Sequence, residues 1–373
     1  MKILLVASNR PWKSIEPLES VEADFQTVVL NPARPKISNL VMETVDILRK
    51  SIAYKPDIIF CHAAKYISLT ALVLAKLIAR PFAVRIAGDI FEDYRTRMAY
   101  CKRRGRMPRL IYFWLTHKVE LFVIHHSSGI ITVADHLRET LLSQAGRDLT
   151  RIEVVPVACD ISRFAHAPVD AISNTEFRGK KIILTVTNLD FEEKLAGLKE
   201  ALPGLTHVLA QRQDVVLLIA GGGFFFNDIK SYIERSHQDL FNKKKIILLG
   251  FVEEIEKLYA IADMVVYYSL RDGWPNVMLE AWASGKPLIV NDSYWSREHV
   301  QRNTALIARD GRELIEYVEM LLDSEQARKE LSDKGYEYVS QNCSNEAVGR
   351  KLAQALSNLI RKPPARGGVK GVG

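Results

Sequence analysis

Met264-Val-Val-Tyr-Tyr-Ser269-Leu-Arg-Asp272-Gly-Trp-Pro275-Asn-Val-Met-Leu-Glu280-Ala-Trp-Ala-Ser-Gly285-Lys-Pro287-Leu-Ile-Val290 decides how the chain is read. Met264 to Ser269 is a continuous apolar run, as in a parallel strand buried on both faces. Arg271-Asp272-Gly273 is the loop that follows. Pro275 suits a first helical turn, where its missing N–H has no partner to lose. Gly285 suits the helix end, where a positive φ is often required. Pro287 to Val290 is the next strand. Asp272 therefore lies beyond the C-terminal end of a strand, where open α/β sheets bind ligands. Glu280 lies roughly 7.5 Å along the helix axis from Pro275. The amides of Asn276 and Val277 form a positive helix end suited to a phosphate. From spacing alone, an ordinary β-α-β unit with two solvated acids fits equally well.

Working outward, strands and helices alternate along the whole chain. In the first half, strands are expected at Lys2 to Ala7, Phe25 to Leu30, Asp57 to Cys61, Phe82 to Ile86, Gly129 to Val133 and Ile152 to Pro156. Helical periodicity marks Val41 to Tyr54 and Ile67 to Ile78. A second series has strands at Lys181 to Val186, Val215 to Ala220, Ile246 to Gly250, Met264 to Tyr268 and Leu288 to Asn291. Helices follow from about Glu313 to Ile360. Such alternation predicts doubly wound parallel sheets. The join falls in the polar stretch from Arg163 to Arg178, so the domains are expected at 1–170 and 171–345. The Gly/Pro-rich basic tail, 361–373, is expected to be flexible.

The 373 residues suit two domains, and 48% hydrophobic with 25% charged residues is ordinary for a globular protein. Cys61, Cys101, Cys159 and Cys343 form neither a CxxC nor a zinc pattern, so reduced thiols are expected and no metal site. Lys2 precedes only five apolar residues, too few for a secretory signal. Ile67 to Val84 is interrupted by Lys76, Arg80 and Pro81, so no spanning helix is expected and the location expected is cytoplasmic. The net charge of +7 favours an anionic partner without selecting one.

The string Asp272-Gly-x-Pro-Asn…Glu280-Ala…Gly285-Lys-Pro resembles the donor site of retaining glycosyltransferases of the family 4 type, whose usual pattern is Glu, seven residues, Glu. Here Asp272 stands for the first Glu. The resemblance covers the C-terminal domain and, more loosely, the N-terminal one. It implies the GT-B fold: α/β, two Rossmann-like doubly wound domains facing across a cleft, with a last helix (346–360) returning to the N-terminal domain. It implies that Glu280 holds the nucleotide ribose and that Asp272 contacts the donor sugar. Leu184-Thr-Val-Thr-Asn188…Lys194-Leu-Ala-Gly197 lies where relatives carry an Arg and a Lys for the donor diphosphate. Asn188 takes the Arg place and Lys194 keeps the Lys, so a bidentate phosphate contact is lost and a point charge remains. Gly221-Gly222-Gly223 resembles a strand-end segment that lets backbone approach a ligand. Leu249-Gly250-Phe251-Val252 resembles the base-binding turn. Each of these also reads as ordinary strand-to-helix punctuation. The chain lacks Gly-x-Gly-x-x-Gly after its first strand, which argues against an NAD domain.

In the first domain, Val84-Arg85-Ile86-Ala87-Gly88-Asp89 has Ala87 where many relatives have a His. Asp89 or Arg85 is then a catalytic or acceptor-side candidate, with a buried Arg85–Asp89 salt bridge as the bland alternative. His62, at a strand end, is a weaker acceptor-side candidate. The segment Arg95 to Arg109 holds seven basic residues and no acid, Arg103 and Arg104 among them, and is followed by the apolar run Leu110 to Leu115. A solvated face, a phosphorylated acceptor and an anionic membrane surface all fit it. No nucleic-acid-binding module accompanies the charge.

The resulting expectation is a cytoplasmic retaining glycosyltransferase, possible at the inner membrane face. It would take a nucleotide-diphosphate sugar and pass the sugar to a glycan, lipid-linked or small-molecule acceptor without a cofactor. A sugar-nucleotide epimerase of the same fold and a non-catalytic sugar-nucleotide-binding or assembly protein stay open as alternatives.

Overall fold

A computed structural model describes residues 1–7, 11–30, 36–62, 66–145, 149, 151–167, 177 and 179–361, with side chains 36–40 left aside. The chain divides into two compact units, Met1–Ala158 with the chain from Asn345 onward, and Cys159–Ser344. The tail expected at 361–373 lies outside the described residues from 362 onward.

The first unit is built on β1 (Ile3–Ala7), β2 (Phe25–Val29), β3 (Ile58–His62), β4 (Phe82–Ile86), β5 (Gly129–Thr132) and β6 (Ile152–Val154). They form a parallel sheet of order β2-β1-β3-β4-β5-β6. Period-two alternation sorts β1 between two cores. Leu4 and Val6 pack with Leu72, Val123 and Ile124 on one side. Ile3 and Leu5 pack with Val348, Leu352 and Leu356 on the other. The latter three belong to the helix Asn345–Arg361, so the last helix covers one face of this sheet.

The second unit is built on β7 (Lys181–Val186), β8 (Val215–Ala220), β9 (Ile246–Gly250), β10 (Met264–Tyr267), β11 (Leu288–Asn291) and β12 (Leu306–Ala308). Its parallel order is β12-β11-β10-β7-β8-β9. Ile183, Leu217, Val266 and Ile289 meet Leu198, Leu202, Leu205 and Leu209 of the helix Glu192–Gln211. Truncating a fully buried leucine of this set to alanine costs about 2–5 kcal/mol.

Two local differences from the sequence reading have simple causes. The edge strand β12 has only three residues, too few for a periodic signal. Pro275 is not in the first helical turn. It caps the helix Asn276–Ala283 with extended backbone, φ −66° and ψ 121°. Gly285 does have the expected left-handed φ, 61°.

Candidate active site

In the second sheet the strand order reverses between β7 and β10: β8 and β9 lie beyond β7, β11 and β12 beyond β10. The crevice outside the carboxyl ends of that pair is where a parallel α/β sheet receives ligands. Lys194, in the first turn of the helix after β7, and Asp272, in the loop after β10, meet there. Lys194 Nζ lies 2.9 Å from Asp272 Oδ2 and 3.0 Å from the Tyr267 hydroxyl. Tyr267 donates to the same carboxylate oxygen at 2.5 Å, and the other, Oδ1, accepts from the Gly273 amide at 3.0 Å. Burial alone would lower the Lys194 pKa, but Tyr267 and Asp272 outweigh it and hold the ammonium above the usual lysine range. Burial and then Asp272 push the Tyr267 phenol up. An ammonium has three N–H donors. Two are engaged here, with the Tyr267 hydroxyl and the Asp272 carboxylate.

The scaffold behind this cluster is tight. Ser269 at the end of the β10 segment is bracketed by Asn291, whose Oδ1 accepts from the Ser269 amide at 3.0 Å and whose Nδ2 donates to its carbonyl at 3.2 Å. Trp295 Nε1 donates to that carbonyl at 2.9 Å. Arg271 pairs with Glu193, tying the Asp272 loop to the start of the Lys194 helix. Gly197 lets that helix approach the loop: a Cβ there would stand 2.5 Å from the Tyr268 carbonyl oxygen.

Glu280 projects from the helix Asn276–Ala283, and its Oε2 accepts from the buried Tyr259 hydroxyl at 2.9 Å. Phe164 packs edge-on against the Tyr259 ring, at 5.7 Å between centroids. The charge of Glu280 is also felt at Arg163, whose guanidinium pairs with Glu256 at 2.8 Å. Asn276 and Val277 open the helix, after the Asp272 loop.

The ends of β7, β8 and β9 interlock through backbone. Thr187 donates to Ala220 at 2.9 Å, Leu189 to Gly222 at 3.0 Å and Gly221 to Gly250 at 2.7 Å. Asn188 Oδ1 accepts from the Asp190 amide at 3.0 Å, so this side chain shapes its own turn. Gly250 has φ 66°, and after it Phe251 is 81% exposed while Val252 is half-buried. The residues expected to form one donor site thus share one sheet edge, and Lys194 with Asp272 are in direct contact.

In the first unit the candidates have other partners. Arg85 is 2% exposed and donates through Nη2 to the Pro156 carbonyl at 2.9 Å; Nε and Nη1 have no hydrogen-bond partner. Asp89 caps the helix Ile90–Arg103, Oδ1 accepting from the Glu92 amide at 3.1 Å. Burial pushes its carboxyl up, against the Phe91 amide, which lowers it. His62 Nδ1 lies 2.6 Å from Ser14 Oγ. Burial, then Arg85 and Lys13, push its pKa down to about 3. Arg103 and Arg104 are exposed. The acid-free basic segment has acids one turn upstream: Arg95 pairs with Glu92, and Arg97 with Asp93 at 2.7 Å.

Tyr267 and Tyr259 were not among the candidates, because a tyrosine within an apolar segment reads as core. The available signal is that a buried tyrosine hydroxyl usually needs a partner. His299, 1% exposed, was missed as well. Its Nε2 lies 2.7 Å from the Gly273 carbonyl, and its ring lies 4.0 Å from that of Trp274.

Residues 170–338 match the family described as glycosyl transferases group 1. The chain is 26% identical over 341 residues to the UDP-Gal:alpha-D-GlcNAc-diphosphoundecaprenol alpha-1,3-galactosyltransferase of Escherichia coli, covering 88% of this chain and 80% of that one. It is 22% identical over 327 residues to the alpha-monoglucosyldiacylglycerol synthase of Streptococcus pneumoniae, covering 84% and 70%. A crystal structure of Anabaena HepE in complex with UDP superposes with a TM-score of 0.69 at 15% identity, covering 96% of this chain and 100% of that one. Two doubly wound units, the cluster at the second switch point and these relatives define an enzyme of the GT-B class. The chain is a glycosyltransferase, and its match to the group 1 family falls within the second unit.

Proposed function

We propose that this glycosyltransferase is of the retaining family 4 type, that its donor is a uridine-diphosphate sugar, and that its acceptor is lipid-linked. The observation that carries the reading is the Lys194–Tyr267–Asp272 cluster at the switch point of the second sheet. Breaking the bond between the anomeric carbon and the donor phosphate leaves negative charge on the diphosphate. Stabilising developing charge with preorganised donors is the largest electrostatic task of such a step. The Lys194 ammonium and the amides of Asn276 and Val277 serve it, so the reading needs no metal. The acceptor oxygen attacks the same face of the sugar, and its proton passes to the departing phosphate oxygen. Asp272, its Oδ2 fixed by two donors, presents its carboxylate to the sugar hydroxyls. Glu280, oriented by Tyr259, takes the ribose hydroxyls, and the Gly250–Val252 turn and Gly222 border the base.

Uridine is favoured by the galactosyltransferase relative, named for UDP-Gal, and by the UDP complex of HepE. A lipid-linked acceptor is favoured because both curated relatives above carry lipid acceptors or products in their names. Epimerase and assembly roles have no counterpart among these relatives.

Calorimetric titration with UDP, ADP and GDP, and with the corresponding sugars, tests the donor assignment. UDP species should bind best. Glu280→Ala should weaken them about tenfold or more, since a charged hydrogen bond contributes roughly 1.5–3 kcal/mol. Unchanged affinity in that variant would remove Glu280 from the ribose site.

A further inference from the structure

The helix Met107–His126 of the first unit carries apolar side chains on its exposed side as well as its buried one. Its inward side carries Thr116, Glu120, Val123 and Ile124, all buried. Thr116 Oγ1 lies 2.9 Å from the Tyr66 hydroxyl, so part of that packing is polar. The outward side carries Met107, Ile111, Trp114, Leu115 and Phe122, each 46–55% exposed. At about 100° per residue these five, with Lys118 among them, fall within one arc of roughly 100°. About half of each of these side chains faces water among the described residues, a contiguous apolar stripe that folding of the unit leaves exposed.

Charge surrounds the stripe. Lys102, Arg103, Arg104, Arg106 and Arg109 are exposed at the N-terminal end of the helix, and Lys118 Nζ lies 6.0 Å from the Trp114 ring centroid. Lys102 and Arg103 lie in the last turn of the preceding helix Ile90–Arg103, where cations suit the dipole, but Arg106 and Arg109 stand at the N-terminal end of this one, where cations oppose it and helix stability does not account for them. An apolar stripe with an interfacial tryptophan, bordered by Lys and Arg, is the signature of a helix lying in the plane of an anionic bilayer.

We propose that the outward face of the 107–126 helix is a bilayer-docking surface. Met107, Ile111, Trp114, Leu115 and Phe122 enter the headgroup–acyl boundary, and the 102–109 cluster holds anionic headgroups. The partner is an anionic membrane surface, and the contact is peripheral: no helix among the described residues is long and apolar enough to span. The inference deepens the proposed lipid-linked acceptor, but it stands on this surface and not on the donor site.

The test is flotation of the full-length protein with phosphatidylglycerol-containing vesicles and with pure phosphatidylcholine vesicles, at low and high salt. Wild type should float with the anionic vesicles, less so in high salt. Lys102→Gln, Arg106→Gln and Arg109→Gln together should lower partitioning about a hundredfold at low salt. Ile111→Ser, Trp114→Ser and Leu115→Ser together should lower it at least as far at both salt concentrations. All three are about half exposed, so a thermal melt accompanies the flotation and only folded protein is compared; Phe122→Ser is a milder second variant for the same readout. UDP calorimetry on the same samples separates this proposal from the donor reading: loss of flotation with donor affinity intact supports it. Wild-type-like flotation of the serine variant overturns it. So does a concentration-dependent dimer that the serine variant abolishes, with no vesicle binding, which would assign the face to a second copy of this chain.

Discussion

Gly197→Ala adds one methyl group and changes no charge, yet it should cripple the enzyme. The added Cβ would stand 2.5 Å from Tyr268 O, 2.7 Å from Tyr268 C and 2.8 Å from Ser269 Cα, all backbone atoms. Ordinary contact begins near 3.4 Å, so the helix carrying Lys194 must retreat by about 1 Å from the loop carrying Asp272. A misplacement of about 1 Å in a catalytic constellation costs about a hundredfold in rate. Overpacking of this kind also costs about 1–3 kcal/mol of stability. For a unit of this size each kcal/mol lowers Tm by about 2–4 °C, so the variant remains folded at assay temperature. The assay is steady-state release of UDP from the donor, beside a circular-dichroism melt and donor calorimetry. Gly311→Ala is the control, since its Cβ would meet nothing within 4 Å and its φ is ordinary. A folded Gly197→Ala enzyme with wild-type kcat/KM would refute the argument that this close approach sets the Lys194–Asp272 geometry.

Tyr267→Phe removes a hydroxyl that bridges Lys194 and Asp272 but leaves their direct 2.9 Å contact; kcat should fall about tenfold with KM little changed, and an equal loss in donor Kd would assign Tyr267 to binding instead. His62, neutral in the fold with its pKa pushed down to about 3, binds a proton more readily when unfolded. Stability should therefore rise with pH between about 3 and the ordinary histidine value of about 6.5. The contribution is lost as pH falls through that window, and His62→Gln should flatten this part of the Tm profile. Lys194, held above the usual lysine range, should stay charged at pH 7–10, so a basic limb of the rate profile in that interval would contradict its environment.

Much of the fold was legible because both sheets are parallel and their central strands are buried on both faces. Their central strands are mostly apolar runs such as Val215 to Ala220, which stand out from the amphipathic helices between them. Asp272, Glu280 and Lys194 were singled out through the family-like string, and the fold brings Lys194 and Asp272 into contact. What escaped was information held in the third dimension. Tyr267 looks like any strand residue until β10 is placed beside β7 and its hydroxyl reaches Lys194. Tyr259 meets Glu280 only across 21 residues of chain. The apolar run Leu110 to Leu115 was visible, but which of its residues face outward depends on the burial of Thr116 and Glu120, a polar pair that sequence patterning would place in water. Arg85 is a further case. The sequence offered it as an acceptor-side candidate or as one half of a buried salt bridge with Asp89, whereas the fold buries it against the carbonyls of the chain after β6.

The central claim is that the cluster after β7 and β10 drives glycosyl transfer from a nucleotide sugar. The most direct test is proton NMR of the reaction of purified enzyme with a UDP-sugar and a lipid-diphosphate acceptor, followed in wild type, Lys194→Ala and Asp272→Asn. The account predicts UDP and an α-glycoside from an α-linked donor. Both variants should lose at least tenfold in kcat/KM, and Lys194→Ala should lose more in kcat than in donor affinity. A β-glycoside, an altered sugar nucleotide without UDP, or a Lys194→Ala enzyme as active as wild type would contradict it.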